Sequence, residues 1–470
     1  MKALFPILIL LFASEGCAPT GNASPATADG GLAVVNVTVI PMDSERMLRG
    51  HTVIIRDGLI AQLGPSADIR IPADAQRIDG TDKYLIPGLT DAHVHLRDPS
   101  ELLSYLAHGV TAVVQLSGPS GNIPDVVDLG NQVERGAILG PTMYTSGRIL
   151  DGDPPIFPGV TTVVRTPAEA ERAVEAQLAE GVDLIKVYNN LRTDVFVAVT
   201  RAAHNRGATV WGHIPRIDGR STALQRALMA GLDVIAHAEE VFFTFLYRDV
   251  EAQLDTAEVP TIGDDQTAQA VRLIRAHNAT VIPNLSFVAM TRVQLEDMEK
   301  VWADPEAAYL DPAVLNMWRQ QNPTGRADLP RFELRERGKR VVLQRLTRAL
   351  HDAGVPLLLG TDASAPGMFP GKSAHIELME LVAAGLTPHE ALATGTSNSG
   401  RFLSRHVRPS SPFGTVSVGS RADLLLLNAN PLTDISHVAR VAGVVLRGRW
   451  YARSKIDSMR VERASIPAPR

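Results

Sequence analysis

The stretch Tyr84–Asp98, YLIPGLTDAHVHLRD, decides how the rest of the chain is read. Its apolar start, Tyr84-Leu85-Ile86, turns at Pro87-Gly88. It continues through Leu89-Thr90-Asp91-Ala92 and then presents His93-Val94-His95. In an extended strand, residues two apart share a face, so both imidazoles point the same way, about 7 Å apart at the backbone. Two histidines on one face begin a metal site. A lone His-x-His also arises by chance, so further ligand types must come to the same place to complete a shell.

The chain has 470 residues, 45% hydrophobic and 21% charged, enough for a large core and two domains. A net charge of -5, with no basic stripe carrying interleaved aromatics, excludes nucleic acid as a partner. The single cysteine, Cys17, excludes an internal disulfide. Lys2 followed by the apolar run Ala3 to Ala13 reads as an export signal, too short for a mature transmembrane helix. Ser14-Glu15-Gly16-Cys17 resembles a bacterial lipobox, with Ser14 and Glu15 departing from its usual residues. The expectation is a signal and lipobox over 1–17, lipidation at Cys17, and a flexible tether over 18–31. The protein would then be exported and held at the membrane by an N-terminal lipid alone, facing the periplasm or exterior. Plain secretion is the alternative.

Residues 32–83 alternate as short strands do, with a hairpin signal at Asp57-Gly58. A matching set lies at the far end: Ala422 to Leu427, Val441 to Leu446, and Trp450-Tyr451. The two ends, 32–83 and 406–455, read as one small β-domain. The main domain, 84–405, is inserted between them, and 456–470 is a tail. Within the main domain, the first strand is followed by Val110 to Leu116, Pro141 to Thr145, Asp183 to Val187, Thr209 to Gly212, Val234 to Ala236, Ala279 to Pro283 and Val355 to Gly360. Helical patterns run over Pro167 to Glu180, Asp194 to Arg206, Ser221 to Ala230 and Arg337 to Ala353. They stop at Gly181, Gly207, Gly231 and Gly354. Eightfold strand–helix alternation predicts a parallel (β/α)8 barrel, whose chemistry sits where the strands end. Those ends carry His93, His95, Lys186, His213, His237 and Asp362. Ligand types on five strands at one topological level predict a site, where any one of them alone would be an ordinary loop residue.

PGLTDAHVHL, LIKVYNN, VWGHIP, VIAHAEE and LLLGTDAS together resemble the metal-dependent amidohydrolase superfamily, over most of the span from Leu32 to Tyr451. GKSAHIELMELVAAGLTPHEALATGTSNSGRFL and FGTVSVGSRADLLLLNANPL resemble its C-terminal signatures. Within the superfamily the likeness is to imidazolonepropionase-like enzymes and to metal-dependent dipeptidases acting on Xaa-Pro or similar dipeptides. The resemblance implies an α/β fold, a (β/α)8 TIM barrel with a small β-sandwich domain formed from both chain ends. It implies two Zn2+ per chain, bridged by a carboxylated Lys186. His93 and His95 would bind the more buried ion, His213 and His237 the other, and Asp362 the first ion and a bridging hydroxide. Unmodified, Lys186 would be a cation beside cations; as a carbamate it is an anionic oxygen donor, and the shell keeps an excess of positive charge that favours a tetrahedral intermediate. A single-ion site using His93, His95, His213 and Asp362 is the alternative.

The activity implied is hydrolysis of C–N bonds by a metal-bound hydroxide. The substrates would be linear amides such as dipeptides or N-acyl amino acids, and Asp362 would act as general base. A cyclic amidase or deaminase is the second reading, and a surface binding protein without catalysis the third. Arg97, in HVHLRDP, resembles the dihydroorotase arginine that binds a substrate carboxylate; an ion pair with Asp98 is the alternative. Tyr188 shares a face with Lys186 and is a candidate substrate contact; packing into the barrel is the alternative. His375 and Glu377 are candidates for supporting contacts. Phe242 to Tyr247, and the long seventh connection with Phe287, Met290, Trp302, Tyr309, Met317 and Trp318, are read either as pocket walls or as packing of inserted helices. Gly367 to Ser373 fails as a phosphate loop because Pro366 stands where a glycine is needed. The oligomeric state is left open, a homo-oligomer included.

Overall fold

A computed structural model describes residues 31–464 apart from 119, 122, 221 and 247–260. The expected signal, Cys17 and nearly all of the tether lie outside the described residues, as does Tyr247.

The β-branched runs of the first segment form β1 (Leu32–Val39), β2 (Leu48–Arg56) and β3 (Leu59–Pro65), followed by β4 (Gln76–Asp79) and β5 (Tyr84–Pro87). Asp57 and Gly58 both take left-handed backbone, φ 51° and 78°, the geometry of a tight hairpin between β2 and β3. The middle of the chain supplies β6 (Leu89–Val94), β7 (Val110–Gln115), β8 (Thr142–Thr145), β9 (Ile149–Asp151), β10 (Thr161–Val163), β11 (Ile185–Val187), β12 (Val210–Gly212), β13 (Val234–Ile235) and β14 (Thr280–Val281). The far end adds β15 (Leu424–Leu427), β16 (Val441–Leu446) and β17 (Arg449–Ala452).

The two ends of the chain build one mixed sheet in the order β17-β16-β15-β5-β1-β2-β3, with β4 also on β1. In β15 alternate leucines serve two cores. Leu424 and Leu426 pack with Val34, Val53 and Val445, whereas Leu425 and Leu427 join the main core against the barrel. β5 pairs with β1 and β15, so Tyr84–Pro87 belongs to the end sheet and the barrel starts at Leu89 rather than at Tyr84. Gly88 is the crossing point. A Cβ there would lie 2.2 Å from the Thr111 hydroxyl, so only glycine passes.

Eight parallel staves make the barrel. β6, β7 and β8 pair in sequence, as do β11 to β14. Single bridges close the ring: Ser146 to Leu184, Val281 to Leu357, and Val94 to Ala363. The eighth stave, expected over Val355 to Gly360, is extended and bonded on both sides. Leu358 N donates to Val281 O (3.1 Å) and Ala92 N to Leu359 O (2.7 Å). Inside, Val114, Tyr144, Leu184, Trp211, Ile282 and Leu358 form a packed plug, closed below by Leu403 and Phe413. Lys186 and His213 each follow a plug residue by two, so they share its inward face one layer higher.

The helices Pro167–Ala179, Thr193–His204, Ala223–Ala230 and Leu329–Asp352 end before Gly181, Gly207, Gly231 and Gly354, all with φ between 73° and 99°. The last starts at Leu329, earlier than the expected Arg337. β9 and β10 have no counterpart in the sequence reading. The expected tail begins as a helix, Arg453–Ala464, which buries Ile456 and Arg460. Among the described residues no helix is long and apolar enough to cross a membrane.

Candidate active site

The ends of β6 and of the eighth stave bring three donors together. His93 Nε2 lies 3.2 Å from His95 Nε2, and Asp362 Oδ1 lies 2.9 Å from His95 Nε2 and 3.3 Å from His93 Nε2. One ligand atom from each of these three falls within 4.8 Å of the others. His237 and His213 continue the cluster outward. The His93 and His237 ring centres are 4.5 Å apart and those of His237 and His213 4.8 Å.

Hydrogen bonds fix three tautomers. His93 Nδ1 donates to Ala236 O (3.1 Å). His213 Nδ1 faces Asn189 Oδ1 and Glu240 Oε1, both at 3.1 Å. His237 Nδ1 donates to the Asn284 amide oxygen (2.7 Å), while the Asn284 amide nitrogen reaches the carbonyls of Gly360 (3.0 Å) and Thr361 (2.9 Å). Each partner accepts, so each Nδ1 carries the proton and each Nε2 presents a lone pair.

Burial pushes His93 and His213 far below the ordinary imidazole range, and the neighbouring charge of Lys186 adds to this; burial takes His237 down to about 3. The rings are therefore neutral, the form that ligates a metal. Burial acts on Asp362 in the opposite direction and raises it. The His95 hydrogen bond and the charges of His95, His237 and Lys186 outweigh burial and bring the carboxyl to about 2. Asp362 also holds left-handed backbone, φ 65°, a strained conformation for a residue with a Cβ.

Lys186 is fully buried, and its Nζ finds no hydrogen-bond partner among the described residues. Burial lowers its pKa to about 8 against the pull of Asp362 and Glu240. An unpaired ammonium inside a ring of histidines is costly. Neutral imidazoles, an ionised carboxylate and an orphaned lysine nitrogen form a donor set that fits divalent metal.

Three further residues hold the cluster together and were not assigned roles from the sequence. Asp91 accepts from Thr361 Oγ1 (2.6 Å), Thr361 N (3.1 Å) and His93 N (3.2 Å), lashing β6 to the eighth stave. Glu240 accepts from Ile214 N (3.0 Å), orients His213 and stands 3.6 Å from Arg216. Asn284 is the third. Asp91 and Glu240 lie inside the stretches TDAHVH and VIAHAEE, and their nearness to a histidine was the only signal available.

The cluster floors a cavity of about 640 Å³. Arg97 and Tyr188 both line it. The Arg97 Nε is buried without a partner among the described residues, and burial draws this guanidinium down, opposed by Glu101 and Asp362. Tyr188 stacks on His213 with ring centres 3.8 Å apart. Its hydroxyl is pushed well above its usual pKa by burial and stays protonated. Of the expected aromatic walls, Phe243, Phe287 and Met317 face the cavity. Phe242 is core, and Trp302 and Trp318 pack within the inserted helices. Glu377 accepts from Ser286 N (2.6 Å) behind the site. His375 turns instead to His108 O (2.8 Å). A second cavity of about 500 Å³ adjoins the first through Glu239, Phe287, Gln321 and Pro366.

The amidohydrolase family model matches residues 84–451. The chain belongs to the amidohydrolase family. It is an enzyme acting on carbon–nitrogen bonds of small molecules, in a family that is generally metal-dependent. A putative prolidase from Bifidobacterium longum is 27% identical, with a TM-score of 0.68 over 93% of this chain and 100% of that one. The imidazolonepropionase of Cutibacterium acnes is 23% identical over 418 residues, 85% of this chain and 89% of its own. The dihydroorotase of Mycobacterium tuberculosis is 51% identical over 47 residues, and the chain matches only 10% of its length.

Proposed function

We propose that this amidohydrolase cleaves linear amides, dipeptides or N-acyl amino acids, using two divalent ions, with zinc the best match to nitrogen and oxygen donors of this kind. The observation that carries the reading is the convergence of His93, His95 and Asp362, with the unpaired, buried Lys186 behind them, under a cavity that His95 and Asp362 line and that is large enough for a dipeptide. His93, His95 and Asp362 would hold one ion, His213 and His237 the other, and carboxylated Lys186 would join them. When bound, divalent metal lowers the pKa of water toward about 7 and polarises an amide carbonyl.

The chain's own residues do the rest. The Asp362 carboxylate takes a proton from the attacking water and delivers it to the leaving nitrogen, which departs as a neutral amine. Arg97 and Arg216, both at the cavity wall, offer guanidinium groups to a substrate carboxylate, and the protonated Tyr188 hydroxyl is a donor. The likeness to a prolidase across nearly the whole chain supports a linear substrate. The position of Arg97 at the cavity wall favours one other reading, a cyclic amide bearing a carboxylate. The test is a turnover screen of zinc-loaded full-length protein against dipeptides, N-acyl amino acids and cyclic amides. Cleavage of the first two classes is expected. Turnover of cyclic amides alone would replace the linear reading, and stoichiometric metal with no turnover of any class would leave a binding protein.

A further inference from the structure

The loop between β9 and β10 carries Ile156 and Phe157, which line the cavity while remaining 45% and 47% exposed. This loop is braced. Asp151, fully buried, accepts from Gly152 N (2.9 Å) and Asn190 N (2.7 Å) on one oxygen and from Ile156 N (3.1 Å) on the other. The Asn190 side chain donates to Pro154 O (2.7 Å). Asn190 follows Lys186 by four residues, so the loop is tied to the stave end that carries the site.

Phe157 meets Tyr188 edge-on, with ring centres 5.5 Å apart and planes at 70°. Tyr188 in turn stacks on His213. An aromatic line therefore runs from the cavity mouth to the ligand cluster. Across the same cavity stand Phe243, Phe287 and Met317. Apolar surface fixed toward water by a carboxylate brace is unfavourable until something apolar covers it.

We propose that Ile156 and Phe157 form a preformed apolar subsite that receives a bulky hydrophobic group, aromatic or branched, next to the scissile amide. The proposal rests on the linear-amide reading of the same site and names its substrate class: peptides or acylated amino acids with at least one large apolar side. Asp151 is a positioning residue for this subsite.

The test uses the zinc-loaded full-length enzyme with Ala-Ala, Phe-Ala and Ala-Phe, recording kcat/KM for each and, by calorimetry, Kd. Wild type is expected to favour one phenylalanine dipeptide over Ala-Ala by about tenfold or more, the range in which hydrophobic pockets discriminate. Phe157→Ala and Ile156→Ala should each shrink that ratio several-fold, with Phe157→Leu intermediate and Asp151→Asn moving the same way. Damage to the fold alone would lower all three substrates in proportion and leave the ratio intact. That outcome, or a wild-type ratio near one in both turnover and binding, overturns the subsite. If no dipeptide is cleaved but the binding ratio still collapses in Phe157→Ala, the linear-amide reading falls and the subsite stands.

Discussion

Asp362 concentrates the chemistry of the site in one side chain. Its left-handed backbone, φ 65°, turns the carboxylate onto His93 and His95, and the His95 hydrogen bond together with the positive charge around it outweighs the burial that favours the neutral acid. Asp362→Asn keeps the shape and an oxygen donor but cannot carry a proton. Loss of a positioned general base costs about 10²- to 10⁴-fold. The expected result is a fall in kcat of that size, with near-normal zinc by elemental analysis; retained turnover would remove Asp362 from the proton path. That His93, His95 and Asp362 meet, with the rings of His237 and His213 beside them, was legible in the sequence because stave periodicity delivers these positions to one level. Glu240, Asn284 and Asp91 were not. Their roles depend on backbone and side-chain groups of other staves, as far away in sequence as Thr361 is from Asp91, and no local pattern encodes such a partner.

At the scale of elements, the helix Leu285–Glu296 begins with a device for the histidine cluster. Asn284, its first flanking residue, holds φ 53° and so aims its amide back between His237 and the eighth stave. One side chain thereby sets the His237 tautomer and satisfies two carbonyls of a stave that pairs only through single bridges. Asn284→Ala removes both functions. Partners of this kind, one bond beyond a ligand, are worth about 10- to 100-fold in metal affinity. Competition with a zinc chelator should show a loss in that range, and the thermal transition of the metal-free protein should fall by a few degrees, because the carbonyls of Gly360 and Thr361 lose their partner. Unchanged affinity would mean that His237 is oriented by packing alone. Helix ends were readable from glycines because φ near 73° to 99° is cheap only for that residue. β9 and β10 escaped notice because three-residue strands contain too little alternation to register, although they brace the substrate loop.

Over the whole molecule, remote parts of the chain meet at a second histidine pair, and acid should loosen that junction. His108 donates from Nδ1 to Ser104 O (2.9 Å) and accepts from His375 through its own carbonyl (2.8 Å). Its Nε2 is 3.6 Å from Glu306, which also pairs with Arg460 of the C-terminal helix. The first barrel helix, the insertion, the helix after the eighth stave and the C-terminal helix are thus joined around it. Burial, reinforced by Arg460, Arg453 and Lys372 and opposed by the Ser104 hydrogen bond, lowers His108 to about 3. Between that value and about 6.5 the unfolded chain binds a proton that the native state refuses, so the stability is present above pH 6.5 and is lost as pH falls. For His108 the loss from pH 7 to pH 5 is about 2 kcal/mol. Asp91, Glu101 and Glu377 are raised by burial to about 7, 8 and 7, and they slope the other way, losing stability as pH rises toward those values. Subtracting a variant from wild type cancels them. His108→Gln should cost stability at pH 7, yet in urea unfolding its deficit should shrink by about 2 kcal/mol by pH 5, because the proton-linked part of the wild-type loss is gone. A deficit constant across that interval would mean that His108 is already charged in the folded protein, and that the junction is held by its ion pairs and not by a neutral ring.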